Sequence, residues 1–277
     1  MFRTIGLDME LSKQRRTATS IMKNEIKYII NWKIKKKSIE KPPVFIVGCG
    51  HSGTSLLLTI LGSHSRIYDI PFESYMAMKD KEEIEYLMKY FDKSAIAEGK
   101  VRWVEKTPKH ITCIKRLLEF SSQPSIIIIL RDGRDVACSI KERNNDFEKG
   151  VRRWIDDNKK GEEYWKYPNV YVLKYENIIS DFNGTITSLL SFLGENFEPS
   201  MRDYHTVPKR YFSNNLSKPD NSYGKNHDQY RNWQINQPLF DGRSKWKQKM
   251  TEQEKVLFKS LAGEMLISYG YADNYDW

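Results

Sequence analysis

The chain has 277 residues, 39% of them hydrophobic, and a formal net charge of +9, which suits one α/β domain with a short appendage and an anionic ligand or partner. The longest uninterrupted aliphatic run, Ile126 to Leu130, is far shorter than the ~20 residues of a transmembrane helix, and the amino-terminal residues contain no apolar signal-peptide core. Cys49, Cys113 and Cys138 lack C-x-x-C spacing, which argues against a zinc site or a disulfide framework and for a reducing, cytoplasmic compartment.

Most of the charge excess sits at the start, where residues 1–41 hold 11 Lys/Arg against 4 Asp/Glu. Residues 19–37 read as a basic amphipathic helix, with Met22, Ile26, Ile29, Ile30 and Trp32 on one side and lysines flanking it. Such a helix can touch an anionic membrane surface weakly or dock on the domain with its lysines in water, and the large Trp and several Ile favour docking.

After Pro42 and Pro43, apolar runs alternate with helical patterns, which predicts βα units and a mainly parallel sheet. Strands are expected at Val44–Val47, Val101–Val104, Ser125–Leu130 and Val170–Leu173. Helices are expected at 53–62, 108–119, 134–143 and 177–193, with others near 80–91 and 148–165. Residues 208–247 show little periodicity, which predicts a lid or binding loop. Thr251 and Glu254 then form a capping box ahead of a helix whose buried stripe is Leu257, Phe258, Leu261, Ala262 and Met265.

Two stretches carry chemistry. VFIVGCGHSGTSLLL, residues 44–58, is an aliphatic strand, a glycine-rich turn and a helix start, an arrangement whose backbone amides and helix dipole hold a phosphate. Thr54 stands where a P-loop NTPase has the lysine that reaches the β- and γ-phosphates, so ATP or GTP hydrolysis is disfavoured. SIIIILRDGRDVACSIKER, residues 125–143, is a second strand followed by a helix on which Ser139 and Arg143, four apart, share a face with room for Arg131 and a second phosphate. Two other readings stay open: Asp132 as a Walker-B metal ligand, which the adjoining Arg131 disfavours, and mutual pairing of Arg131, Asp132, Arg134 and Asp135.

GHSGTS (50–55) and RDGRDVACS (131–139), on consecutive strand ends, resemble the two nucleotide motifs of sulfotransferases that use 3′-phosphoadenosine-5′-phosphosulfate (PAPS). The pattern is most similar to tyrosylprotein sulfotransferases and their bacterial relatives. The resemblance implies a three-layer α/β/α, P-loop NTPase-like fold over residues 42–277, after a basic segment at 1–41. It implies that Gly50, His51, Ser52, Gly53, Thr54 and Ser55 hold the 5′-phosphosulfate, and that Arg131, Ser139 and Arg143 hold the 3′-phosphate. EKTPKH (105–110) makes Lys106 a candidate beside the transferred group, KYENI (174–178) brings Tyr175 to the nucleotide, and RSKW (243–246) implicates Ser244 and Lys245 in closing over it. No metal is implied. His51 departs from the family's usual Lys or Arg, and either an imidazolium that takes part in catalysis or a neutral ring that donates one hydrogen bond fits.

The resemblance also implies a base, and Glu73 in DIPFES stands at about the family's spacing after the phosphate-loop helix. Its apolar neighbours Ile70, Pro71 and Phe72 predict a raised pKa. Glu105, His64 and His110 are reserves. The expected function is in-line sulfuryl transfer to a hydroxyl or amine of a carbohydrate, lipid-linked glycan or small metabolite, with no nucleic-acid partner. A P-loop small-molecule kinase and a basic nucleic-acid-binding protein are the alternatives. Oligomeric state is not legible.

Overall fold

The computed structural model describes residues 39–220 and 226–277, and the basic helix expected over residues 19–37 lies outside them. Five strands, β1 (Val44–Gly48), β2 (Ile67–Asp69), β3 (Arg102–Lys106), β4 (Ser125–Leu130) and β5 (Val170–Lys174), pair in the order β2-β3-β1-β4-β5, all parallel. The helices are α1 (Thr54–Leu61), α2 (Lys81–Ala97), α3 (Ile114–Leu118), α4 (Gly133–Asn144), α5 (Phe147–Glu162), α6 (Tyr175–Ser180), α7 (Phe182–Leu193), α8 (His227–Ile235), α9 (Trp246–Lys249) and α10 (Glu252–Ser268).

Parallel strands covered on both faces tend to be apolar throughout, as β1 (VFIVG) is, whereas β3 (RWVEK) is equally buried yet carries Arg102, Glu105 and Lys106. Alternation sends Val44, Ile46, Ile127 and Ile129 to one face, where they pack with α1 and α7. Phe45 faces the other way, edge-on to Trp103 with ring centroids 5.5 Å apart, and Gly161 of α5 lies against Ile128 on that side. The helices on the two faces give the three layers. Trp154, Val136 and Phe258 join α5, α4 and α10 in a further apolar cluster.

The order of the strands positions the site. From central β1 the chain runs out to edge strand β2, returns to β3 beside β1, and then crosses to β4 on the opposite side of β1. The carboxyl ends of β1, β3 and β4 therefore open on one crevice, the usual ligand position of open α/β sheets.

Some elements depart from expectation. The single helix expected over 177–193 is two, because Asp181 leaves helical geometry (φ −146°, ψ 81°) and its carboxylate accepts the Gly184 N–H at 2.9 Å as the cap of α7. The helix expected at 108–119 begins as a 3₁₀ turn, Pro108–Cys113. The segment 208–247 contains α8, which buries only Asn232 and Ile235 and so leaves no apolar period in the sequence. Among the described residues no helix is long and apolar enough to cross a membrane.

The expected capping box is present: Thr251 Oγ1 accepts the Glu254 N–H at 3.2 Å and Glu254 Oε2 accepts the Thr251 N–H at 2.9 Å. Thr251→Ala is expected to cost about 1 kcal/mol, read as a lower urea midpoint with an unchanged slope.

Candidate active site

The turn after β1 is shaped by positions that tolerate no side chain. Gly53 has φ 91°, and a Cβ there would lie 2.6 Å from the ring of Tyr175. The first helical bond of α1 is donated by Leu57 to Gly53, so the amides of Thr54, Ser55 and Leu56 have no intrahelical acceptor. His51 adopts the left-handed region (φ 72°), which turns its carbonyl to Arg131 Nη1 (3.0 Å) and its Nδ1 to Ser139 Oγ (2.9 Å). Burial, reinforced by Arg153, Arg143, His227 and Arg231, lowers the His51 pKa to about 3 and keeps the ring neutral.

Arg131, at the end of β4, stacks on the Tyr175 ring at 4.4 Å, and its Nη2 donates to the Gly242 carbonyl at 2.7 Å. Its Nε has no partner among the described residues, and neither does the buried hydroxyl of Ser52. Both are donors that an anion would satisfy. Arg143 stands one turn beyond Ser139 on α4, at the cavity wall.

The acidic residues of the second motif are otherwise engaged. Asp132 caps α4 through the Arg134 N–H (2.9 Å) and accepts the Arg134 guanidinium at 3.0 and 2.7 Å, which takes it out of a Walker-B role. Asp135 accepts the amides of Ser244 (2.8 Å) and Trp246 (2.9 Å) and so ties the end of the 208–247 segment to α4.

Glu73 lines the same cavity as the turn after β1. Lys106 Nζ, 1% exposed at the end of β3, is 2.5 Å from Glu73 Oε1, and Arg231 Nη2 on α8 is 3.0 Å from the same oxygen. Tyr75 donates its hydroxyl to Glu73 Oε2 at 3.0 Å. Burial raises the Glu73 pKa, but Lys106 and Arg231 outweigh it and hold the carboxyl at about 2. The raised pKa expected from Ile70, Pro71 and Phe72 is therefore corrected: two cations brought by the fold override the apolar sequence neighbours. Burial lowers Lys106 to about 8, with Glu73 opposing the shift.

The reserve bases are structural. Glu105 is fully buried and accepts the Ser74 N–H and hydroxyl, each at 2.9 Å, with His110 beside it at 3.3 Å. His64 is held between the Asn196 carbonyl and the Arg66 N–H, each at 3.0 Å.

One cavity of about 490 Å³ is lined by Gly50, His51, Gly53, Thr54, Ser55, Glu73, Arg131, Ser139, Arg143, Tyr175 and Lys245. Ser52 and Lys106 are not among its lining residues and are each 1% exposed. Ser244 is not among its lining residues and borders a second cleft with Asp241 and Arg243. The sequence reading missed Arg231, Arg153 and Phe212. Arg153 Nη2 would be 2.6 Å from a Cβ at position 50, close under the loop. The only sequence sign of Arg231 was its place in a long basic and aromatic segment, a pattern too common to single it out.

Residues 41–268 match the sequence model of the family described as Sulfotransferase domain. A protein of Aquifex aeolicus (strain VF5), described as uncharacterized, is 25% identical over 209 residues, which cover 61% of this chain and 28% of that protein. The chain thus spans 28% of the length of the curated relative it matches. Among solved structures, the sulfotransferase domain from the curacin biosynthetic pathway superposes with a TM-score of 0.58 at 16% identity, over 81% of this chain and 97% of that one. Mouse sulfotransferase SULT7A1, solved in complex with PAP, superposes with a TM-score of 0.54 at 19% identity, over 81% and 84%. These likenesses are of fold.

Proposed function

Because the chain belongs to the sulfotransferase domain family, we propose that it is a sulfotransferase, one that moves the sulfuryl group of PAPS in line onto a hydroxyl or amine of a carbohydrate, lipid-linked glycan or small metabolite. The observation that carries the proposal is that two adjacent parallel strands, with Gly48 in register with Ile129, end in groups of hydrogen-bond donors, the helix-start amides after β1 and Arg131 after β4, that open into one cavity. The nucleotide seen with the mouse structure supports PAPS as the donor.

In this reading the amides of residues 53–56, with the hydroxyls of Ser52, Thr54 and Ser55, hold the 5′-phosphosulfate. Arg131, Ser139 and Arg143 hold the 3′-phosphate, and Tyr175 and Lys245 line the nucleotide. Ser244 acts through its amide on Asp135, positioning the segment that follows. Lys106 neutralises charge that develops on the departing 5′-phosphate. His51, neutral, orients Ser139 and fixes Arg131 through its carbonyl. Glu73 accepts the proton of the acceptor. Exposed Tyr75 and Phe240 at the cavity rim, 45% and 43% exposed, suit stacking against a ring of the acceptor.

Calorimetry of PAP without Mg²⁺ tests the donor site. Wild-type protein is expected to bind PAP, and Arg131→Ala to bind it roughly 30-fold more weakly, about 2 kcal/mol, as one charge-assisted contact is lost. Binding of ATP with Mg²⁺ in place of PAP would return the site to a kinase, and salt-sensitive binding of DNA alone would favour a nucleic-acid role.

A further inference from the structure

The phosphate loop has no cation of its own. Thr54 replaces the lysine of an NTPase loop, and the His51 ring is buried and neutral. The cation opposite the start of α1 comes instead from the far side of the cavity. Arg231 on α8 places Nη2 3.5 Å from Ser55 Oγ and 3.0 Å from Glu73 Oε1, so one guanidinium spans the loop and the proposed base.

Its position is built. The Arg231 guanidinium lies 3.7 Å from the centre of the Phe212 ring, and Lys106 Nζ approaches the same ring at 5.0 Å. Asn232, the next residue and fully buried, accepts the Phe212 N–H at 3.3 Å and donates to the Asn215 carbonyl at 3.4 Å. The strap before α8 and the helix itself thus hold the arginine together. A guanidinium also offers a planar fork of donors that suits several oxygens at once.

We propose that Arg231 is a catalytic residue that binds the sulfuryl oxygens between Ser55 and Glu73, supplying from the lid the charge the phosphate loop lacks. The proposal rests on the sulfotransferase reading of the same site. In the transfer, the acceptor oxygen forms its bond to sulfur as the bond from sulfur to the bridging oxygen breaks. The electron pair of that bond stays on the 5′-phosphate, and the acceptor proton goes to Glu73. As Arg231 exchanges Glu73 Oε1 for sulfuryl oxygens, one of the two cations that hold the carboxylate weakly basic is withdrawn, and its basicity rises when the donor is in place.

PAP and PAPS differ only in the sulfuryl group, so their affinities separate the roles without a known acceptor. Arg231→Ala is expected to weaken PAPS binding by tenfold or more and PAP binding by less than threefold, both by calorimetry, with Arg231→Lys between it and wild type for PAPS. Retained PAP binding shows that the variant is folded. Equal losses for both nucleotides would make Arg231 a brace of the lid and overturn the proposal, as would no loss for either. If the wild type binds neither nucleotide, the donor-site reading beneath the proposal fails first, which is a different result from either of those.

Discussion

Glu73→Gln is expected to lower sulfuryl transfer by roughly 10²–10⁴-fold, the usual contribution of a positioned base, while PAP binds at close to wild-type affinity. The amide keeps the shape of the side chain and its hydrogen bond from Tyr75 but accepts no proton. A second consequence follows from the shared oxygen: Glu73 is the main influence raising the Lys106 pKa against burial, so in the variant the lysine pKa falls from about 8 and less of its charge remains toward neutral pH. The two effects part with pH. Acidification restores the lysine charge but not the base, so transfer that recovers fully at pH 6 would assign the loss to Lys106 alone. The measurement is single-turnover transfer of labelled sulfuryl to an acceptor the wild type uses, beside calorimetric PAP binding. Undiminished transfer would remove Glu73 from the mechanism.

Lys106→Ala is expected to cost roughly 10²–10³-fold in turnover, as when one preorganised donor to a developing anion is removed. The same residue sets the pH dependence. Its ammonium is charged below about 8 and is lost as pH rises through that value, so wild-type kcat/KM should descend above pH 8. Glu73 at about 2 and His51 at about 3 lie below the working range, which leaves the profile level from pH 5 to 7. The variant should lack the alkaline descent, and a wild-type profile level through pH 9 would exclude Lys106 as the titrating cation.

The parts of this site legible in the sequence are those whose chemistry is local. A phosphate loop needs a strand, glycines and a helix start within a short stretch, and VFIVGCGHSGTSLLL contains all three; the strand before Arg131 is a run of isoleucines for the same reason, being buried on both faces. What was hidden depends on distant encounters. Glu73 has apolar sequence neighbours, but its pKa is decided by Lys106, 33 positions on, and Arg231, 158 positions on. Helix α8 was invisible because its outer side is wet and its inner side is polar, with Arg231 and Asn232 spent on the site and the strap rather than on a core. The break at Asp181 was hidden by the apolar residues on either side, which continue a helical period across a residue that caps.

The central place of β1 governs how the protein is made. Val44 pairs with Val104 on one edge and with Ser125 on the other, so the strand that launches the phosphate turn waits for about 80 residues of later chain before both its edges are satisfied. At a synthesis rate of roughly 5–20 residues per second that interval is about 4–16 s. During it an aliphatic strand with open edges stands on the nascent chain, the condition that holdase chaperones recognise. The turn after β1 thus leaves the ribosome well before the strands that complete its surroundings.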